Sequence, residues 1–231
     1  MDKQFRVRAI ITGATGMVGE GVLNACLASP DVEAVLVITR TPTGVAHPKL
    51  KEIIHRDFFD ITGIAKELDG YNACYFCLGV TSLGKTESSY TRLTHTLTLQ
   101  FAKTLLVVNP DMCFCYISGK GTDRTEKGRI MWARVKGKTE NDLDRLPFKK
   151  VFAFRPSIIR PTKGNRHTLK IYKYFMWVFP IGRKCFSGSF CTLEELSLAM
   201  IYSVYNPINR GIYEVPDIHD AARLAFSDKG S

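Results

Sequence analysis

Three glycines spaced three apart, Gly13, Gly16 and Gly19 in the run GATGMVG, follow a short β-branched apolar stretch, Val7 to Thr12. Immediately after them Val18, Val22, Ala25 and Cys26 recur at helical spacing. Glycines at such a turn let the chain reverse tightly, bring bare main chain against an anionic group, and let the helix pack closely on the strand. The start of the helix adds N–H groups without partners and the positive end of its dipole. Residues 13 to 19, with Thr15, Met17 and Val18 between the glycines, therefore read as a cradle for the diphosphate of a dinucleotide.

A second feature is the apolar run Met112 to Ser118, beyond which Trp132, Val135, Thr139, Leu143 and Leu146 recur at helical spacing. A third signal is Arg40, which ends the run AVLVIT (residues 34 to 39). An NAD-selective site carries Asp or Glu there for the ribose 2′-hydroxyl. A guanidinium instead matches a 2′-phosphate in charge and planar shape, so NADP(H) is the expected cofactor and NAD(H) the alternative.

These residues need a scaffold, and the pattern around them supplies one. Apolar runs at 7–12, 34–39, 53–54, 73–78, 112–118 and 151–154 read as strands, and 90–103 as a long helix. Alternation of this kind predicts an α/β fold with a doubly wound, mainly parallel sheet of the Rossmann type, with its ligand crevice at the carboxyl ends of the strands. The 231 residues suit one such domain. After Pro161 the pattern loosens. Thr192-Leu-Glu-Glu195 is a capping box opening a helix to about Tyr205, GIYEVP (211–216) reads as a late strand, and residues 160–231 are expected to add a small substrate lid.

Composition narrows the class. With 45% hydrophobic and 23% charged residues the chain is ordinary for a globular domain. It opens without an apolar leader and holds no apolar run long enough to cross a bilayer, so a cytoplasmic protein without a transmembrane segment is expected. Seven cysteines then read as reduced thiols. Cys74-x-x-Cys77 has no second pair to complete a metal site and reads as core, as do Cys113 and Cys115. The chain's net charge is +10, and ten Lys and Arg residues crowd into residues 120–150, either a solvated face or a field for an anionic ligand. No nucleic-acid-binding signature accompanies it.

The chain resembles the atypical short-chain dehydrogenase/reductases, the epimerase/dehydratase-like branch with the Tat-interacting reductase-like proteins. The resemblance runs through GATGMVG, Cys77-Leu78-Gly79, YISGKGTD, WARVKGKTE from Trp132, and FRPSII from Phe154. It implies that Asp57 and Phe58 flank the adenine, that Cys77, Leu78 and Gly79 lie against the cofactor, and that the segment from Pro156 borders the nicotinamide. It further implies a catalytic Ser, then Tyr-x-x-x-Lys. Ser118 and Lys136 match the first and last of these, Lys136 being expected also to hold the cofactor's ribose, but Trp132 stands at the tyrosine. An indole N–H donates a hydrogen bond and does not titrate usefully, so Trp132 cannot be the acid or base. It either packs or stacks on substrate.

Tyr90, His95 and Asp123 are candidate substitutes, Tyr90 foremost, because the resemblance sets its helix beside the cofactor. The aromatic run Tyr172, Tyr174, Phe175, Trp177 and Phe179 reads as lid core or as an apolar pocket, and Arg160, Lys163, Arg166 and His167 as a loop that could meet an anion. The expected function is an NADP(H)-dependent oxidoreductase or epimerase-like enzyme acting on a small carbonyl or carbinol compound. The alternative is a catalytically weak NADP(H) sensor that binds a protein partner; a homodimer is a further expected association.

Overall fold

The structure, a computed structural model, describes residues 6–162, 165, 187–207 and 211–227. Seven parallel strands form the central sheet. They are β1 (Val7–Thr12), β2 (Val32–Thr39), β3 (Leu50–Ile54), β4 (Ala73–Phe76), β5 (Cys113–Ile117), β6 (Lys150–Phe154) and β9 (Ile212–Tyr213), in the order β3-β2-β1-β4-β5-β6-β9. Two further short strands, β7 (Ile158–Arg160) and β8 (Phe190–Thr192), pair in parallel outside it. The order reverses direction between β1 and β4, which opens a crevice at their carboxyl ends.

Alternation along the strands divides the core. Val7, Ala9 and Ile11 of β1 point to one face with Val35, Val37, Tyr75, Cys115 and Phe152, while Ile10 joins Leu36, Ile38, Phe76, Phe114 and Tyr116 on the other. Cys74 and Cys77, three apart, fall to opposite faces, whereas Cys113 and Cys115 share one. Helix α1 (Met17–Ala28) covers the first face. The second is covered by α3 (Leu97–Val108) and α4 (Met131–Asp144), with α2 (Glu87–Thr91) packed against α4.

A π-helical turn, Arg92–Thr96, joins α2 to α3, so the helix expected over 90–103 is longer and locally widened. Thr86 caps it, its side chain accepting from Ser89 N–H at 3.3 Å.

Helix α5 (Leu193–Tyr205) opens with the predicted capping box on Thr192 and Glu195. Its Leu193, Leu196, Ala199 and Met200 are buried in the same cluster as α1 and β1. At Gly21 the two helices approach so closely that a Cβ would lie 2.4 Å from Leu193 Cγ. This part of the expected lid is thus a layer of the core, because its apolar face is needed to close the sheet. The strand expected over 211–216 shrinks to two residues. Val215 already begins α6 (Val215–Ser227), whose first turn accepts Pro216 because no helical bond is lost there. The aromatic run 172–179, with Lys163, Arg166 and His167, lies outside the described residues.

Candidate functional site

The glycine turn has the geometry that an anion cradle requires. Gly13 has φ +70°, a conformation other residues adopt only with strain, and a Cβ on it would sit 2.7 Å from the Cys77 carbonyl oxygen. A Cβ on Gly19 would meet the Gly13 oxygen at 2.2 Å. Gly16 N–H donates to Gly13 O at 2.9 Å, and Gly16 then caps α1 with no side-chain partner for the helix N–H groups. Thr15, Met17 and Val18 are half-buried around an exposed Gly16. The main-chain amides at this helix start are available to a diphosphate, and the residues present fit that group.

A cleft of about 420 Å³ lies at the carboxyl ends of β2, β3 and β4, and it meets the turn's surroundings at Leu78, whose main chain Gly13 abuts. Arg40, Asp57, Phe58, Leu78 and Gly79, all singled out from sequence, line it. Arg56, Phe59, Val80, Leu93 and Leu97 line it too and were missed. Arg56 was legible as a second cation directly before Asp57-Phe58. Leu93 and Leu97 had no separate signal, since an apolar residue on a helix reads first as core. Phe58 itself is largely core, its ring stacked on Phe101 at 6.1 Å, while Phe59 is half-buried with the Arg92 guanidinium 5.2 Å from its ring. Asp57 Oδ1 accepts from Phe59 N–H at 2.9 Å, which fixes the turn. Arg40 and Arg56 are exposed at the mouth.

Ser118 directly follows β5. Its Oγ is 2.8 Å from Thr122 Oγ1, which in turn donates to Gly119 O at 2.7 Å. Since Thr122 spends its one proton on that carbonyl, Ser118 donates to Thr122 and offers lone pairs elsewhere. Lys136, on α4, donates to Ser118 O at 2.8 Å and to Ile117 O at 3.3 Å. Its Nζ lies 5.9 Å from the Tyr116 ring centroid. Burial holds its pKa down at about 8, against a partial upward pull from Glu140. Trp132, half-buried one turn earlier, leans over the loop after Ser118: Cβ atoms on Gly119 and Gly121 would lie 3.9 and 3.7 Å from its ring. Pro156 is buried at the same place, its carbonyl accepting from Lys120 N–H at 3.0 Å.

The three candidate substitutes for the tyrosine lie in different settings. Tyr90 is 2% exposed, and burial pushes its phenol pKa up. His95 Nε2 is 2.8 Å from Asp142 Oδ2, on the flank of α4. Asp123 accepts from Thr125 and Gly128 in its own turn, and the Thr125 hydroxyl above all keeps its carboxyl below the usual range. Much of the basic run is spent locally: Arg124 bonds Asn141 and Asp144, Arg134 bonds Glu87, and Lys138 and Arg145 both bond Asp142.

No family model matches the chain. Among curated proteins it is similar to "Protein fmp52, mitochondrial" of Emericella nidulans, 29% identical over 156 residues that cover 64% of this chain and 65% of the relative. It is likewise similar to "Protein FMP52, mitochondrial" of Candida glabrata, 24% identical over 161 residues, covering 69% of this chain and 66% of the relative. The match thus spans just under two thirds of these relatives' length.

Among solved structures, the Bordetella bronchiseptica enzyme WbmG in complex with NAD superposes with TM-score 0.66 at 12% identity, over 100% of this chain and 81% of that one. A short chain dehydrogenase family protein from Francisella tularensis gives 0.62 at 14%, over 90% and 96%. The dTDP-glucose 4,6-dehydratase DesIV of Streptomyces venezuelae, a double mutant with NAD and DAU bound, gives 0.65 at 14%, over 97% and 82%. The likeness is one of fold, that of the short-chain dehydrogenases and of sugar-nucleotide epimerases and dehydratases.

One expectation is corrected. The cytoplasmic assignment is overturned by the relatives, which are named as mitochondrial proteins. The inference failed for a physical reason: an apolar leader is what secretion requires, whereas mitochondrial transit segments are basic and amphipathic, so lacking the first says nothing about the second.

Proposed function

We propose that the chain is an oxidoreductase or epimerase-like enzyme that uses a nicotinamide dinucleotide, prefers NADP(H), and acts on a carbonyl or carbinol compound. One observation carries this reading: the bare amide turn packs at Gly13 against the Cys77–Leu78 main chain, and Leu78 lines a cleft that holds two guanidinium groups, Arg40 and Arg56. Their charge and planarity suit a 2′-phosphate on the ribose. The amides would take the diphosphate and the cleft walls of Leu78, Phe59, Leu93 and Leu97 would take the adenine. A bound reduced nicotinamide supplies hydride to a carbonyl carbon.

Ser118 and Lys136 would then stand beside the reacting oxygen. Pro156, at the end of β6, would border the nicotinamide. The mitochondrial names of the relatives support a mitochondrial place of action, and the NAD bound by fold neighbours supports the cofactor class.

Titration of the purified protein with NADPH and NADH, followed by fluorescence, tests the reading. NADPH is expected to bind at least tenfold more tightly. Failure of both nucleotides to bind overturns it. A sensor of NADP(H) is the second reading, favoured by Trp132 at the tyrosine position. Tight binding with no turnover across a panel of carbonyl compounds would decide for it, and turnover lost in Ser118→Ala would decide against it.

A further inference from the structure

The reading above leaves the proton without an owner, and the hydrogen bonds around Ser118 narrow the choice. The Ser118 proton goes to Thr122, and the Thr122 proton goes to Gly119 O. Asp123 is an acceptor within its own turn, and an ionised carboxylate has no proton to give. His95 is tied to Asp142 on the flank of α4. Tyr90 is enclosed. Trp132 does not titrate usefully. Lys136 alone among these keeps an N–H to spare, since an ammonium has three and two of them reach Ile117 O and Ser118 O.

We propose that Lys136 itself delivers the proton to the substrate oxygen, and that Ser118 accepts the hydrogen bond of the hydroxyl so formed. This rests on the nicotinamide-dependent reading. In the step, the carbonyl carbon gains a C–H bond from the hydride of the reduced nicotinamide, which is oxidised. The carbonyl oxygen gains an O–H bond from the Lys136 ammonium. The lysine is left as a neutral amine and recovers its proton from water.

The surroundings of Lys136 favour a proton that leaves readily. Its one near carboxylate, Glu140, is held at both oxygens by Arg155 of β6, at 3.0 and 2.5 Å. That carboxylate is therefore largely balanced before Lys136 draws on it. Tyr116 of β5 presents its ring, and burial holds the Tyr116 phenol neutral well past neutrality. Tyr90 of α2 stands behind Tyr116, also neutral. Burial lowers the pKa of Lys136 to about 8, so both its forms are populated near the pH at which an enzyme works.

Three measurements test the proposal. The first follows lysine side-chain NMR signals of the full chain against pH, with Lys136 assigned by its absence from Lys136→Arg. A midpoint near 8 is expected, against about 10.4 for an ordinary lysine. The second is NADPH oxidation by 9,10-phenanthrenequinone, a non-specific carbonyl probe, which should fall above the same midpoint as the acid is lost. The third is Lys136→Arg, which keeps the charge but releases no proton. With NADPH at saturation for the variant, it should turn over at least about a hundredfold more slowly than wild type.

An ordinary lysine midpoint, unimpaired turnover in Lys136→Arg, or wild-type protein that binds NADPH yet reduces no quinone at any pH overturns the proposal. Should the arginine variant not fold, the coincidence of the NMR midpoint and the rate profile in wild type decides. Failure of NADPH to bind at all would instead sink the cofactor reading, and the binding titration separates that result.

Discussion

The Glu140 carboxylate, 1% exposed at its side chain, is gripped at both oxygens by the guanidinium of Arg155, which also reaches Glu214 at 3.0 Å. Helix α4 is thereby fastened to β6 and to the start of α6 from one arginine. A planar fork on a carboxylate is a strong and directional pair, but its removal matters chiefly through the charge it strands.

Arg155→Met should therefore cost about 3 kcal/mol or more, because Glu140 is left buried without a counter-charge. For a domain of this size that lowers Tm by roughly 6 to 12 °C. Replacing both, in Arg155→Met with Glu140→Met, should recover most of the loss. Thermal unfolding of the three proteins checks this, and an additive double variant would refute it.

Gly13→Ala combines an unfavourable φ with a Cβ placed 2.7 Å from the Cys77 oxygen. The strain and the clash together predict a loss of about 2 kcal/mol or more. The turn would have to shift, so NADPH affinity should fall at least tenfold. Ala at Gly63, where a Cβ meets nothing within 4 Å and which does not line the cleft, should leave Tm unchanged and serves as the control.

Arg40→Ser and Arg56→Ser should each weaken NADPH binding by about tenfold, the scale of one lost charged hydrogen bond, and leave NADH binding nearly constant. The paired change should invert the preference. Isothermal titration at fixed ionic strength reads it directly. Equal losses for both nucleotides would show that the arginines do not meet a 2′-phosphate.

Trp132→Tyr places a phenol one helical turn from Lys136. A rate gain of about a hundredfold in quinone reduction is expected, since a second acid then shares the work. Trp132→Phe should give no such gain. If the two variants match, the indole serves packing over Gly119 and Gly121 and the proton supply lies elsewhere.

The sheet and its turn were legible because their signals are local. Val7–Thr12 followed by three glycines and a helical apolar stripe can hardly be read otherwise, and the β-branched runs of β2 and β5 have strand length and composition together. The site was legible where a residue type is chemically unusual at its place, as with Arg40 and Trp132. It was not legible where meaning depends on what lies across space. Arg56 and Phe59 gain a role only when β3 sets them opposite Leu93, and the Ser118–Thr122–Gly119 chain appears only once the loop has folded back. The packing of the late helix was hidden for the same reason: its capping box on Thr192 and Glu195 is local, but that Leu193, Leu196 and Ala199 close the core shows only when α1 is beside them.

The docking of α5 on α1, with α6 packed on α5, also dictates an order of events during synthesis. The face that α1 begins to cover stays open in part until residues beyond 193 have emerged, so the first half of the polypeptide waits with some of its aliphatic wall in contact with solvent or a chaperone. Maturation then finishes in a single late step, when the tail arrives and seals the hydrophobic layer.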